Sequence, residues 1–398
     1  MQLIGGFLEQ GYTVSVASPA KHTLYETDLA GIGAGIGIST HAIELNNSSF
    51  DAFITNLQPN IVVYDRFMTE EQFSWRVAES CPQAIHVLDT QDLHFLREAR
   101  RKAVQANHED LNEQADVYLQ TDLAKREIAA IYRADLSLII SAFEYHLLVE
   151  DFAVPEAILH YLPFMLEPLP QQTKDARPSF ARRQHFVSIG NFLHAPNWDA
   201  VVQLKENIWP RIARALPQAE LHVYGAYPPQ KAFALDSPKD RFFVRGRAED
   251  VTDVLCEARV LLAPLRFGAG LKGKLIDAMQ CATPSVTSSI GTEGISAGMW
   301  AGFCEDDVIA FAEKAVQLYT DEALWQEKQT VGFALLTQFD KAKHLPAFLQ
   351  RVHEIHDDLD AHRSQNFVGQ MLRHHTMQST KYMSRWIEAK NKITSKES

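Results

Sequence analysis

A glycine-rich segment in the second half of the chain carries residue types that can hold a phosphate group. Residues 260–263 predict a buried strand, followed by a loop and then by a helix from about Leu271. Glycines let the backbone of such a loop approach a ligand closely. The free N–H groups and the dipole of the first helical turn favour an anion at the same place. The uncharged residues of this predicted site are Gly268, Gly270, Leu271 and Gly273.

Charged side chains in the same segment indicate what kind of anion would bind. Arg266, Lys272 and Lys274 place positive charge where a diphosphate would lie, unless they form only a solvated helix face. One turn later, the carboxylate of Asp277 can accept hydrogen bonds from ribose hydroxyls, or it is an ordinary surface acid. Glu293 is either a further donor contact or a turn residue. A phosphate site beside an acid is what a nucleotide-sugar requires.

The elements that would position this segment form two α/β domains in series. Short apolar runs at residues 12–17, 61–64, 85–88, 136–140 and 158–162 predict strands, and helical patterns separate them. The alternation restarts at residues 185–189, 221–224, 242–244, 260–263 and 285–288. The proline-rich residues between these halves predict a linker at 166–183. We therefore predict domains at 1–165 and 184–345, with ligands beyond the carboxyl ends of the strands.

The two ends of the chain depart from this alternation. Residues 3–9 predict a helix before the first strand, whereas a doubly wound domain normally begins with a strand. We expect either that the natural chain starts upstream of Met1 or that the sheet lacks one strand and has a central gap. At the other end, residues 346–398 predict a helical extension. Its apolar positions within 367–392 favour a helix that docks on another surface.

Composition limits the function classes. Of 398 residues, 46% are hydrophobic and 22% charged, as in a globular protein, and the net charge of −12 argues against a broad basic surface for nucleic acid. The four cysteines lack zinc-site spacing and suit a reducing cytosol. No apolar run is long enough to predict a membrane-spanning helix. We expect a cytoplasmic protein, with a peripheral contact at the inner membrane face if its acceptor is lipid-linked.

The segment 263–294 resembles the donor site of GT4-type glycosyltransferases, the glycosyl transferases group 1 family. The shared features are the glycine-rich loop, the helix with its acid, and the ending Pro284–Ser288. Residues 187–200 resemble the first strand and loop of the same domain, and the resemblance implies that Gly190 contacts the donor. The resemblance implies a GT-B fold, in which two Rossmann-like domains face a cleft. It further implies retaining transfer from a nucleotide-sugar to a glycan or lipid-linked acceptor in surface polysaccharide synthesis, with no metal and no cofactor.

The sequence departs from the family pattern at three positions. The first of the family's two acids would fall at Ala269, and its basic pair near Asn191 and Asn197. Lys272 and Lys274 would then supply the phosphate charge. These departures leave open a catalytically inactive GT-B-like scaffold that binds a sugar or a protein partner. A nucleotide-sugar epimerase on the same fold is a third possibility.

A second set of polar residues follows the predicted strand at 85–88. In the family, the loop at this place often carries a His or Asp that faces the transferred sugar, so the resemblance implies His94 and Asp92 as catalytic residues together with Lys274, with Asp89 behind them. The alternative is that Asp92 only caps the helix that starts at Leu93.

Four other motifs are given weaker interpretations. The glycines of residues 31–37 lack dinucleotide-loop spacing and favour a flexible connection. His353 and His356, next to two aspartates, match a metal-binding motif only in residue type. The DxD at residues 358–360 likewise matches such a motif only in residue type. The basic run at residues 97–102 predicts a solvated helix face or a weak membrane contact.

Overall fold

The structure is a computed structural model that describes residues 2–19, 38–106 and 121–397. The glycine run at residues 31–37 lies outside the described residues. Twelve described strands, β1 to β12, form three parallel sheets. The strands are Ser15–Ser18, Ser39–Ala42, Ile61–Asp65, Ile85–Asp89, Leu136–Ile139, Leu159–Tyr161, Gln184–Ile189, Leu221–Tyr224, Phe242–Gly246, Ala258–Ala263, Ser285–Thr287 and Gly302–Cys304.

Eighteen described α-helices, α1 to α18, connect and cover these strands. The helices are Gln2–Glu9, Ser49–Leu57, Phe67–Ser80, His94–Gln105, Asp122–Arg133, Ala142–Glu150, Gln171–Asp175, Ala195–Gln203, Trp209–Ala215, Gln230–Phe233, Val251–Glu257, Gly273–Gln280, Ser289–Thr292, Val308–Thr320, Glu322–Leu336, Lys341–Asp357, Leu359–Gln365 and Phe367–Glu397. A π-helical turn, Leu204–Ile208, joins α8 to α9, so residues 195–215 form one continuous but irregular helix.

The N-terminal half contains a four-stranded parallel sheet in the order β3-β4-β5-β6 and a separate two-stranded parallel sheet, β1-β2. Among the described residues, β1 pairs with β2 and not with the larger sheet. The apolar residues of β4 and β5 are fully buried because helices cover both faces, as expected for a parallel sheet. Asp65 and Asp89 are register partners at the carboxyl ends of β3 and β4.

The C-terminal half contains a six-stranded parallel sheet in the order β12-β11-β10-β7-β8-β9. Its central strand β10 is buried almost throughout and ends at Ala263, directly before the glycine-rich loop. The predicted linker is not wholly irregular: it contains the short helix α7, and Arg183 at its end is fully buried. The α/β prediction for both halves is confirmed, and the strands agree with the predicted ones within a few residues.

The C-terminal helices return to the N-terminal domain. Phe348 and its apolar neighbours in α16 share a core with Phe7 and with residues of β4 and β5. The last helix, α18, packs against α3 and α5. Asp135 anchors this arrangement, because its carboxylate accepts hydrogen bonds from Arg363 at 2.8 Å and Arg373 at 2.7 Å. The predicted docking of the terminal helix is thereby confirmed.

No described helix is long and apolar enough to cross a membrane.

Candidate active site

The glycine-rich loop leads from β10 into α12, which begins at Gly273 rather than near Leu271. Lys272 therefore occupies the N-cap position, and its side chain makes no capping hydrogen bond. The first helical turn lacks the Ser, Thr or Asp acceptor that usually caps such amides. An anion can take the place of that acceptor at the positive end of the dipole.

Lys274 lies in this first turn and is held by an asparagine from another segment. Its Nζ donates a 2.6 Å hydrogen bond to Oδ1 of Asn197, and Nδ2 of Asn197 donates to the carbonyl of Asn191. Gly190 makes room for that side chain, since a Cβ there would lie 2.5 Å from Cγ of Asn197. Burial lowers the pKa of Lys274 to about 8. Two predicted donor residues, Gly190 and Lys274, thus belong to one cluster that Asn197 connects.

The other glycines of the loop lie against the N-terminal domain. Gly270 has a left-handed φ of +63°, and a Cβ there would lie 2.8 Å from Cβ of Asp92. Its N–H donates a 2.7 Å hydrogen bond to Oε1 of Glu144. The carbonyl of Gly268 accepts a hydrogen bond from Arg100 at 2.9 Å. In this structure the two glycines therefore serve close domain contact, and their predicted ligand contacts remain predictions.

Glu144 is a fully buried carboxylate that joins the two domains. Its Oε1 accepts hydrogen bonds from the N–H of Leu93 at 3.1 Å and from that of Gly270. Burial raises the pKa of Glu144 to about 8. Oε2 of Glu144 and Oγ of Ser141 have no hydrogen-bond partner within the described part of the chain. The spacing of Ser141 and Glu144 is that of a capping box, but Glu144 bonds to other segments instead.

A buried ion pair crosses the same interface. Arg100, of which only 1% is exposed, donates to both carboxylate oxygens of Glu293, at 2.8 and 2.6 Å. Lys272 lies 3.8 Å from Glu293 and donates to the carbonyl of Gly270. Burial lowers the pKa of Lys272 to about 8. The interpretation of residues 97–102 as a solvated face is wrong for Arg100, because that side chain faces the other domain.

Three predicted donor residues lie in other surroundings. Arg266 is exposed and forms an ion pair with Asp199, which neutralises part of its charge. Leu271 packs in an apolar cluster of the C-terminal domain, and Asp277 is exposed on α12. Their contacts with a donor stay predictions.

The N-terminal side of the cleft is built around the start of α4. The alternative that Asp92 only caps this helix is wrong, because the carboxylate of buried Glu127 accepts from the N–H groups of His94 and Phe95 at 3.1 and 2.9 Å. Asp92 instead pairs with Arg97. Nδ1 of His94 lies 3.5 Å from Oδ1 of Asp92 and 3.3 Å from Oε1 of Glu127. The imidazole of His94 and the carboxylates of Asp92 and Glu127 therefore form one polar cluster.

This cluster opens onto a cavity of about 430 Å³ between the domains. Burial raises the pKa of Asp89 at the end of β4, with the neighbouring Asp65 adding to the effect. Partial burial and the charge of Arg97 lower the pKa of His194. The N–H of Asn197, the partner of Lys274, donates a 2.9 Å hydrogen bond to the carbonyl of His194. The cavity is lined by Asp65, Arg66, Gln91, Asp92, His94, Arg97 and His194.

The structure thus places His94 and Asp92 in the lining of the cavity, and it gathers Gly190 and Lys274 around Asn197, three residues from His194 of the same lining. Sequence reasoning missed His194 and Glu144. For His194 a signal existed, since it follows the first strand of the C-terminal domain and precedes a helix. The arrangement offers cations and amides on one side and an imidazole with carboxylates on the other.

Solved structures share this fold. Anabaena HepE, determined with UDP and glucose, is 12% identical with a TM-score of 0.62, and the match covers 88% of this chain and 95% of HepE. Sucrose-phosphate synthase from Thermosynechococcus elongatus is 14% identical with a TM-score of 0.59, covering 86% and 99%. A TarM mutant from S. aureus, determined with Fondaparinux, alpha-GlcNAc-glycerol and UDP, is 13% identical with a TM-score of 0.58. That match covers 76% of this chain and 58% of TarM, so the chain spans less than three fifths of TarM.

The sequence matches none of the curated proteins compared with it. Residues 183–321 match the family model of glycosyl transferases group 1. The matched residues begin at the end of the linker and include the whole six-stranded sheet, the glycine-rich loop and α12. Over residues 183–321 the chain is therefore similar to the glycosyl transferases group 1 family, and the chain has the GT-B fold of these solved structures.

Proposed function

We propose that the chain transfers a sugar from a nucleoside diphosphate-sugar to an acceptor hydroxyl in the cleft between its two domains. The observation that carries this proposal is the position of Lys274. Its ammonium group lies in the first turn of α12, which has no side-chain cap, and is hydrogen-bonded to Asn197, three residues from His194, which lines the cavity together with His94 and Asp92. An acidic protein with such a local cationic site is suited to a small anionic ligand.

The donor diphosphate lies against Lys274 and the first amides of α12. HepE and TarM were each determined with UDP, so UDP-sugars are the first donors to test. Gly190 leaves space for the asparagine that positions the lysine. With a pKa of about 8, Lys274 is mostly protonated at pH 7, and a bound dianion stabilises that charge further.

In the proposed reaction the bond between the anomeric carbon and the phosphate oxygen breaks while a bond to the acceptor oxygen forms on the same face. Because the acceptor joins the face that the diphosphate leaves, the configuration is retained, and the acceptor proton goes to an oxygen of the departing diphosphate. In this proposal no metal ion takes part. Lys274 and the helix amides stabilise the charge that develops on the leaving group. His94 and Asp92 orient the transferred sugar from the opposite domain. The interdomain contacts of Arg100 and Glu144 hold the two domains against each other beside the cleft.

The proposed acceptor is a glycan or a lipid-linked sugar of surface polysaccharide synthesis. The cleft supports an acceptor with several hydroxyl groups, because polar side chains dominate the lining of its cavity. A peripheral contact with the cytoplasmic face of the membrane would bring a lipid-linked acceptor to it.

The donor test is a thermal-shift screen against UDP-, GDP- and ADP-linked sugars. A ligand at 100 times its Kd adds about 2.7 kcal/mol to the unfolding free energy, enough to raise the melting temperature measurably. The best donor is then used in a transfer or hydrolysis assay with Lys274→Ala. We expect that variant to fold normally, to lose most of its activity and to lose the thermal shift.

Lys239→Ala is the matched control, since Lys239 is an exposed lysine of the same domain. It should keep both activity and shift. An unchanged transfer rate in Lys274→Ala would refute the phosphate role of this lysine. Donor binding without transfer or hydrolysis in the wild type would favour the inactive scaffold instead.

A further inference from the structure

Two histidines and a glutamate meet at the amino edge of the C-terminal sheet, far from the cleft. They are the only group of three or more potential metal ligands among the residues that the structure describes. His185 lies on β7, His222 on β8, and Glu220 directly before β8. All three are half-buried, and their ligand atoms lie within 4.8 Å of one another. His353, in contrast, is hydrogen-bonded to the hydroxyl of Tyr12.

The parallel pairing of β7 and β8 explains why the three side chains converge. In the pairing of β7 with β8, Val187 lies opposite His222, and two residues earlier His185 lies opposite Glu220. Residues two apart on a strand project from the same face, so His185, Glu220 and His222 share one face of the sheet. The imidazole rings of His185 and His222 stack with centroids 5.1 Å apart. His185 has a left-handed φ of +61°, which is unusual for a residue with a side chain. The hydroxyl of Tyr319 accepts its N–H at 3.2 Å and helps to hold that conformation.

The distances between the ligand atoms suit a small divalent cation. Oε2 of Glu220 lies 2.7 Å from Nε2 of His222 and 3.8 Å from Nε2 of His185. Zinc bound to nitrogen and oxygen at about 2.0–2.2 Å in tetrahedral geometry separates its ligands by roughly 3.4 Å, between the two observed values. Two imidazoles and one carboxylate are a ligand set that favours Zn²⁺ over Mg²⁺ or Ca²⁺.

We propose that His185, Glu220 and His222 bind a divalent transition-metal ion, for which Zn²⁺ is the best-fitting probe. Three protein ligands leave a fourth position, and a cavity of about 300 Å³ adjoins the histidines with Tyr224 and Glu257 in its lining. The fourth position is therefore open to water or to a small ligand. Gly190 lies five positions beyond His185 along the chain, roughly 16 Å at a strand rise of about 3.3 Å per residue, so the ion does not take part in sugar transfer.

Two groups near the proposed site disfavour binding of a cation. A guanidinium nitrogen of Arg245 lies 3.4 Å from Nε2 of His222, and its charge repels a cation. The N–H of Glu220 donates a long hydrogen bond of 3.3 Å to Nδ1 of His185. If Nε2 of His185 bound the ion, Nδ1 would carry the proton, and this hydrogen bond would be lost. Arg245 lies over the ring of Phe243 and can turn away from the site. Removing its charge should tighten metal binding.

The experiment is a Zn²⁺ titration of the untagged, chelator-treated chain by calorimetry at pH 7.5, with the visible spectrum of bound Co²⁺ as a second readout. We expect one saturable site and the intense bands of tetrahedral Co²⁺. His222→Gln and Glu220→Gln should weaken binding by about tenfold or more, because even second-shell changes commonly cost that much. His185→Asn should do the same, and asparagine tolerates the left-handed conformation. Arg245→Gln should bind more tightly than the wild type.

The control is the paired variant His374→Ala and His375→Ala, since these neighbouring, exposed rings on α18 form a histidine pair outside the proposed site. It should leave the saturable site unchanged. The proposal is overturned if the untagged wild type shows no saturable binding. It is also overturned if His222→Gln, folded as judged by circular dichroism, binds Zn²⁺ as tightly as the wild type. Sugar transfer should be equal with and without the ion, so this outcome is independent of the proposed function.

Discussion

The ion pair between Arg100 and Glu293 should hold the two domains together, and a double-mutant cycle can measure this directly. The pair joins α4 of the N-terminal domain to the loop after α13 of the C-terminal domain. We choose Arg100→Met, which keeps the aliphatic volume of arginine, and Glu293→Gln, which keeps the shape of glutamate. Each variant removes one charge of the pair.

The expected magnitude follows from burial and from the remaining partners. Removing one partner of a buried pair costs about 3–5 kcal/mol. Arg100→Met also removes the hydrogen bond to the carbonyl of Gly268, but Lys272 stays 3.8 Å from Glu293 and offsets part of the lost charge. The side chain of Glu293 is still 13% exposed, which reduces the penalty further. We therefore expect about 3 kcal/mol for each single variant and a coupling energy of about 2 kcal/mol.

The assay is urea unfolding of the wild type, the two single variants and the double variant. The matched control is the cycle of Arg101→Met and Glu98→Gln, an i,i+3 pair on α4 whose side chains are about one third exposed. That cycle should give a coupling of only about 0.3–0.5 kcal/mol. If the Arg100–Glu293 coupling is as small as the control, the domains are not held by this pair, and the reasoning is refuted.

Two further variants test buried carboxylates. Burial raises the pKa of Glu144 from 4.5 to about 8, so its contribution to stability is complete below pH 4.5 and is lost as pH rises through 8. Glu144→Gln should remove this slope from the urea midpoints measured between pH 5 and pH 9, and an identical slope in both proteins would contradict it. Asp135→Asn should cost about 3 kcal/mol at pH 7, because it breaks the buried pairs with Arg363 and Arg373. Hydrogen bonds from Arg363 and the charge of Arg373 outweigh burial and hold the pKa of Asp135 well below 3.8, so its contribution is present above that pH and is lost as pH falls through the native pKa. The difference in acid unfolding between the wild type and Asp135→Asn should therefore shrink at low pH. The side chain of Asp357 is exposed, so Asp357→Asn should behave as the wild type.

Much of the fold was predictable because strand and helix patterns are local. The strand at β8 was predicted with its observed bounds, and β4 within one residue. The strand β12 was missed, since Gly302–Cys304 begins with a glycine and contains one large apolar residue, so no β-rich run marks it. The start of α12 was placed two residues early because Lys272 carries no capping signal.

The candidate site was only partly predictable, because its contacts join distant segments. The type and loop position of Lys274 were visible in the sequence, but its partner Asn197 is 77 residues away. Arg100 and Glu293 are separated by 193 residues, so a basic helix face hid a buried interdomain contact. Asp92 followed the usual position of a helix cap, and only the structure shows that Glu127, from α5, takes that role.

The central claim is that a nucleoside diphosphate binds at Lys274, and a crystal structure with the best nucleotide from the thermal screen tests it most directly. We predict a diphosphate oxygen at about 3 Å from Nζ of Lys274 and from the first amides of α12, with the sugar or its vacated space facing His94. A diphosphate bound elsewhere, with Lys274 still paired only to Asn197, would contradict the account.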